Sequence, residues 1–183
     1  VTASRLVDVG RRVAVLGAVA MAFAGAGCGD ASDPSASSLG DQPASGACGP
    51  VETENLDPAS GRHILPGAPE PVYRTDPPTS GAHQPGEVPG GVLDAPLSKP
   101  VQVGALEEGA VIVHWKGLSP TDVDALATLV AGRDQVVVMP DPAISDPVVV
   151  TAWLHRLRCS EPDLARIGDF VDQRMGRGAA HPG

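Results

Sequence analysis

Apolar positions are spread unevenly along the chain, and from residue 104 onward they fall into recognisable periods. Residues 110–115, Ala-Val-Ile-Val-His-Trp, form a continuous β-branched run that ends in an aromatic, the pattern of a strand buried on both faces. Ser119, Pro120 and Asp122 then supply an N-cap, a first-turn proline and a first-turn acid. Val123, Leu126, Leu129 and Val130 fall on one helical face, and Gly132 stops that helix. Residues 135–139 predict a second strand, closed by Pro140, Asp141 and Pro142, and residues 147–153 a third, opening on a proline. Ser160, Glu161, Pro162 and Asp163 repeat the helix-start signal, and Leu164, Ile167, Phe170, Val171 and Met175 make its apolar face. Gly168 inside that helix costs about 1 kcal/mol relative to alanine and permits a bend.

Upstream the periodicity disappears. Residues 48–76 carry Pro50, Asn55, Pro58, Gly61, Pro66, Gly67, Pro69 and Pro71 and read as an irregular arm, with one short strand near residues 62–65. Residues 86–99 read as coil, and regular structure is expected to start at Gly104. The order strand, helix, strand, strand, helix after a long Pro/Gly-rich arm predicts an α+β fold. Its sheet is small and mixed: a right-handed parallel unit, an antiparallel third strand, and helices on one face. High glycine and proline, 22 and 19 of 183 residues, point the same way, towards much turn and coil around a modest framework.

The front of the chain reads as delivery. Arg5, Arg11 and Arg12 precede an apolar block at residues 13–24, and Gly25, Ala26 and Gly27 precede Cys28. This predicts a signal peptide over residues 1–27, too short in its apolar part to span a bilayer comfortably. Small residues directly before a cysteine resemble a bacterial lipoprotein processing box, although Gly25 stands where such boxes carry leucine or another larger apolar residue. The expectation is therefore a lipid on Cys28 and an exported protein anchored to the outer face of the cytoplasmic membrane. The Arg11–Arg12 pair also resembles a twin-arginine signal. Residues 28–47, rich in Ser, Ala, Gly and Pro with no Lys or Arg, form a tether whose reach is about 25 Å. The single domain then spans residues 48–178, with a short tail at 179–183.

Charge narrows the partners. The formal net charge is −9, and residues 1–27 contribute three Arg and one Asp, so the remainder is more acidic still. An acidic exterior argues against nucleic acid and against electrostatic adhesion to anionic lipid, and no phosphate-binding glycine motif is present. With Cys28 assigned to lipid, Cys48 and Cys159 remain as a pair, and export makes a disulfide the leading expectation over free thiols or metal thiolates.

The stretch with the most chemical character is Tyr73-Arg-Thr-Asp-Pro-Pro-Thr-Ser-Gly-Ala-His83. Pro77 and Pro78 fix the backbone, Thr79 and Ser80 offer side-chain hydrogen bonds, and Gly81 allows a sharp turn, so His83 is presented with little ordering entropy left to lose. Tyr73, Pro77-Pro78-Thr79-Ser80-Gly81 and His83, together with Leu106-Glu107, Gly109-Ala110-Val111 and Thr151-Ala152-Trp153, resemble the bacterial family catalogued as domain of unknown function 3105. The resemblance covers about residues 48–176. It implies histidines before and after the proline stretch, here His63 and His83, and a His-x-Leu-Glu-His-Gly motif. That motif reads Gly104-Ala105-Leu106-Glu107-Glu108-Gly109 in this chain.

If those histidines converge on a metal, His63 and His83 remain, with Glu108 as a replacement oxygen ligand. Two imidazoles and a carboxylate suit zinc, manganese or iron better than copper(I). His114 is expected in the core or on a sheet face, and His155 and His181 towards solvent. The functional expectation is a ligand- or partner-binding module of the cell envelope, with a divalent metal such as zinc as the candidate cofactor, and more a binding protein than an enzyme. A hydrolase using Ser80 and His83 is the alternative, although no Gly-x-Ser-x-Gly elbow surrounds the serine.

Overall fold

The structure is a computed structural model and describes residues 46–179. The signal segment, Cys28, nearly all of the tether, and His181 with the rest of the last four residues lie outside the described residues. No helix within them is long and apolar enough to cross a membrane.

The fold is α+β: a six-stranded mixed sheet and three helices. In chain order the elements are β1 (Glu52–Thr53), β2 (Gly91–Val92), α1 (Lys99–Glu107), β3 (Val111–Trp115), α2 (Pro120–Val130), β4 (Val136–Pro140), β5 (Val148–Ala152), β6 (His155–Cys159) and α3 (Leu164–Arg174). The strand order across the sheet is β1-β6-β5-β3-β4-β2. β3 and β4 are parallel and joined through α2, β5 returns antiparallel against β3, and β6 pairs antiparallel with β5. The outermost strands, β1 and β2, have two residues each. Such short edges offer little template for pairing with another chain.

Alternation along the strands divides the sheet into two faces. Val111 and Val113 of β3, Val136 and Val138 of β4, and Val148 and Val150 of β5 pack with Leu126 and Val130 of α2 and Ile167, Phe170 and Val171 of α3. Ile112, Val137 and Met139 point to the other face, where Val103 and Leu106 of α1 cover them together with Trp153. Helices therefore lie on both faces, and not on one as the sequence pattern suggested. The reason is α1 itself, which begins at Lys99, five residues before the expected start of regular structure. Ser98 sits at its N-cap position and Pro100 lies in the first turn, signals that Gly104 in mid-helix disguises.

α2 starts on its expected cap, Ser119, whereas α3 is capped by Asp163, the last residue of its expected start signal, and not by Ser160. The Ser119 and Asp122 side chains each bond the other's backbone N–H, a reciprocal capping box, and Asp163 accepts from the Arg166 N–H. Gly168 is a close-approach position: a Cβ there would stand 3.4 Å from Leu129 Cδ1 across the α2–α3 contact.

β6 has no counterpart among the predicted elements. Its hairpin with β5 turns on Trp153 and Leu154, without the Gly or Asn that usually mark such a turn. Leu154 takes φ of 62°. Two backbone bonds hold it there, its N–H to Thr79 O at 3.2 Å and its carbonyl to Glu54 N at 2.8 Å. On the far side of β6, Arg156 is buried and reaches Glu52 at 2.6 Å and Glu54 at 2.6 Å, fastening β1 to the sheet. Cys48 and Cys159 form a disulfide that pins the start of the arm to the end of β6.

Gly104 generates a test. A Cβ there would collide with the backbone carbonyl of Gln84, because the loop ending at Gln84 lies directly on the helix. A helical Gly→Ala change ordinarily stabilises by about 1 kcal/mol. Here the sign should reverse, and Gly104→Ala should lower the unfolding free energy by about 1–3 kcal/mol in urea denaturation, the usual range for overpacking.

Candidate functional site

Every residue from Pro77 to His83 is buried, although none belongs to a helix or sheet strand. Buried irregular backbone survives only if its polar groups find partners. Here they do. Thr79 O accepts from Leu154 N–H, Ala82 O accepts from the Tyr73 hydroxyl at 2.8 Å, and Gly81 O faces His83 Nδ1 at 2.9 Å. The Ser80 hydroxyl accepts from Asp57 N–H at 3.0 Å. His83 N–H donates to Arg62 O at 3.1 Å, and His83 O accepts from Ile64 N–H at 2.8 Å. This last pair makes a parallel bridge between His63 and His83, the residue pairing that stands where a short strand was expected at residues 62–65.

Gly81 is glycine for two reasons. Its φ is 132°, and a Cβ would press to 2.8 Å from the Tyr73 ring. Burial, then the charges of Glu70 and Asp57, push the Tyr73 phenol up to about 12, so it remains a hydrogen-bond donor.

These constraints aim His83. With Nδ1–H donated to Gly81 O, a neutral ring carries its lone pair on Nε2. Nε2 lies 2.6 Å from Glu107 Oε2 at the end of α1. It is nevertheless buried and without a hydrogen-bond partner. A nitrogen and a carboxylate oxygen that near are held together by a shared proton or a cation bound to both. His63 completes the group from the arm, its ring centroid 4.9 Å from that of His83 at an interplanar angle of 66°. One ligand atom from each of His63, His83 and Glu107 falls within 4.8 Å of the others. Zinc bonds imidazole and carboxylate at about 2.0–2.2 Å, so an ion seated among the three would draw the farther ligand atoms in and hold His83 Nε2 and Glu107 Oε2 farther apart than they stand here. His83 is fully buried, Glu107 partly, and His63 exposed.

The carboxylate expected from the sequence was Glu108; the structure brings Glu107, not Glu108, beside the two histidines. On a helix the two side chains diverge by about 100° around the axis, so one turns to His83 while the other points elsewhere. Glu108 lines a separate cavity of about 420 Å³ with Glu87, Val88, Pro89, Ala105 and Asp134. Ser80 is not joined to His83: its hydroxyl is bonded to Asp57 N–H, and the two His83 nitrogens face Gly81 and Glu107. Pro77 and Pro78 form the buried floor of the loop, with a cis bond between Asp76 and Pro77. His155 is half-buried, within 3.3 Å of Thr53 Oγ1.

A second polar group lies inside the sheet: His114 is in the core as expected, and what the sequence did not show is its partners. His114 is fully buried, with Nδ1 3.0 Å from Asp141 Oδ2 and Nε2 3.1 Å from Thr151 Oγ1. Its three members are 27 and 37 residues apart, so no local spacing announces them. Asp141 follows β4, where it reads only as part of a strand stop. Burial holds the His114 imidazole below its ordinary 6.5, against the hydrogen bond and charge of Asp141 and the more distant charge of Asp76. Asp141 is held below its ordinary 3.8, first by its hydrogen bond to His114. The pair is thus a neutral imidazole donating to a carboxylate and accepting from threonine.

The fold and this geometry define an α+β domain whose irregular arm and loop bring two histidines and a glutamate together beside a helix end. The chain belongs to the family described as Protein of unknown function (DUF3105), which matches residues 69–183. No curated protein and no solved structure matches it.

The His114 group fixes a pH dependence. Below pH 6.5 the unfolded chain takes up a proton on this histidine while the folded chain resists it. Stability present above that value is therefore lost as pH falls towards the depressed folded value. His155, lowered by burial and then by Arg174, acts in the same direction. Unfolding free energy measured against pH should decline below 6.5, and His114→Gln should make that decline shallower. An unchanged slope would contradict a neutral, buried His114.

Proposed function

We propose that this protein is a lipid-tethered, extracytoplasmic metal-binding module of the cell envelope. Its site is formed by His63, His83 and Glu107, and it holds a divalent ion of the zinc, manganese or iron type. The observation carrying this reading is the fully buried Nε2 of His83, which has no hydrogen bond and faces a carboxylate oxygen 2.6 Å away. A buried imidazole nitrogen without a hydrogen-bond partner, set against a carboxylate oxygen, is a natural arrangement in a ligand set. The Nδ1 contact to Gly81 O supports it further, since metal-ligating histidines characteristically donate their second nitrogen to a carbonyl or carboxylate. Hard or borderline ions fit a mixed nitrogen and oxygen set better than a soft one.

Delivery rests on the sequence: a basic start, a short apolar block, small residues before Cys28, and an uncharged-to-acidic tether. The disulfide between Cys48 and Cys159 suits an oxidising compartment outside the cytoplasm.

Metal content of the purified protein, with thermal melting in chelator and in added zinc, tests the site. Zinc at 100 times its dissociation constant should stabilise the wild type by about 2.7 kcal/mol. Glu107→Gln and His83→Ala should abolish most of that gain, whereas Glu108→Gln should retain it. Wild-type protein with neither bound metal nor a melting shift sinks the reading. For delivery, Cys28→Ala should move the protein from the membrane fraction of a bacterial host to the soluble one, and an unchanged distribution would overturn the lipid anchor.

A further inference from the structure

We infer that the ion at His63, His83 and Glu107 keeps an exchangeable coordination position on the solvent side, and that this position binds a small anion such as a carboxylate or halide-like ligand. The inference rests on the metal reading above and concerns what the bound ion can do. Among the described residues only three ligands converge. Zinc takes four partners and manganese or iron up to six, so at least one must come from outside the protein.

The direction of the vacancy follows from the burial of the ligands. His83 and Glu107 approach from the protein interior, with His83 completely buried, while His63 stands exposed on the arm. No fourth His, Cys, Asp or Glu among the described residues joins the group, and the neighbouring hydroxyls are engaged elsewhere. Tyr73 donates its hydroxyl to Ala82 O, Ser80 is bonded to Asp57 N–H, and position 104, beside the His83 ring, has no side chain. Charge selects the ligand: a divalent ion with two neutral imidazoles and one carboxylate keeps a net positive charge, which favours an anion over a neutral or cationic group. Three protein ligands with an open position are the arrangement of reactive or exchanging sites, whereas structural zinc sites are closed by four.

Cobalt(II) replaces zinc in such sites and reports its coordination through visible absorption bands. The purified full chain is loaded with cobalt and titrated with azide and then thiocyanate, with Glu107→Gln as the control for specific loading. The expected result is a saturable shift of the wild-type bands at millimolar anion, reversed by dialysis, and loss of the specific bands in Glu107→Gln. Cobalt bands that do not move with either anion would overturn the open position while leaving metal binding intact. No specific cobalt bands in the wild type would remove both the metal reading and this inference.

Discussion

The structure depends on the burial of an unbranched piece of coil. Residues 77–83 are enclosed without a ladder or a helix to satisfy their backbone, and each orphaned group would cost about 1–3 kcal/mol. Backbone partners come instead from segments scattered along the chain: Arg62 and Ile64 in the arm, Tyr73 just upstream and Leu154 at the β5–β6 turn, while Asp57 N–H holds the Ser80 hydroxyl and Pro100 O of α1 holds the next residue, Gln84. The arm is irregular by composition, yet this requirement gives it a defined course. Its bridge to the loop at His63 and His83 is the same contact that gathers the candidate ligands, so the constraint that stabilises the loop also assembles the site.

Elements that carry their own signals were legible in the sequence. β3, β4 and β5 show as β-branched runs, and α2 and α3 announce themselves by caps and apolar faces. What was not legible depended on something distant. Gly104 reads as a helix breaker until Gln84 is seen lying against it. β6 presents two arginines, and its pairing makes sense only with Glu52 and Glu54 about a hundred residues away. The Trp153-Leu154 turn has no turn residue, and its positive φ is held by contacts with the loop and arm.

The site was half legible for the same reason. His63 and His83 stand out through their relation to the proline stretch. The choice between Glu107 and Glu108 depends on conformation: on extended chain neighbours point to opposite sides, whereas at a helix end they diverge by about 100°. With α1 unrecognised, nothing in the sequence favoured Glu107 over Glu108 as the neighbour of the two histidines. Cys48 and Cys159 needed no geometry, since compartment and count suggest the pair that the structure joins.

Two buried histidines on one fold show how burial alone fails to distinguish structure from function. His114 and His83 are both completely enclosed. His114 has a partner for each nitrogen, a carboxylate on Nδ1 and a hydroxyl on Nε2, so its hydrogen-bonding capacity is used up within the sheet. His83 has one nitrogen fixed by a carbonyl, while the other faces an acidic side chain without a bond and opens towards an exposed imidazole. Since both rings are enclosed alike, the discriminating quantity is the number of nitrogens left without a partner. By that count the first ring holds the sheet together, and the second remains available to a cation.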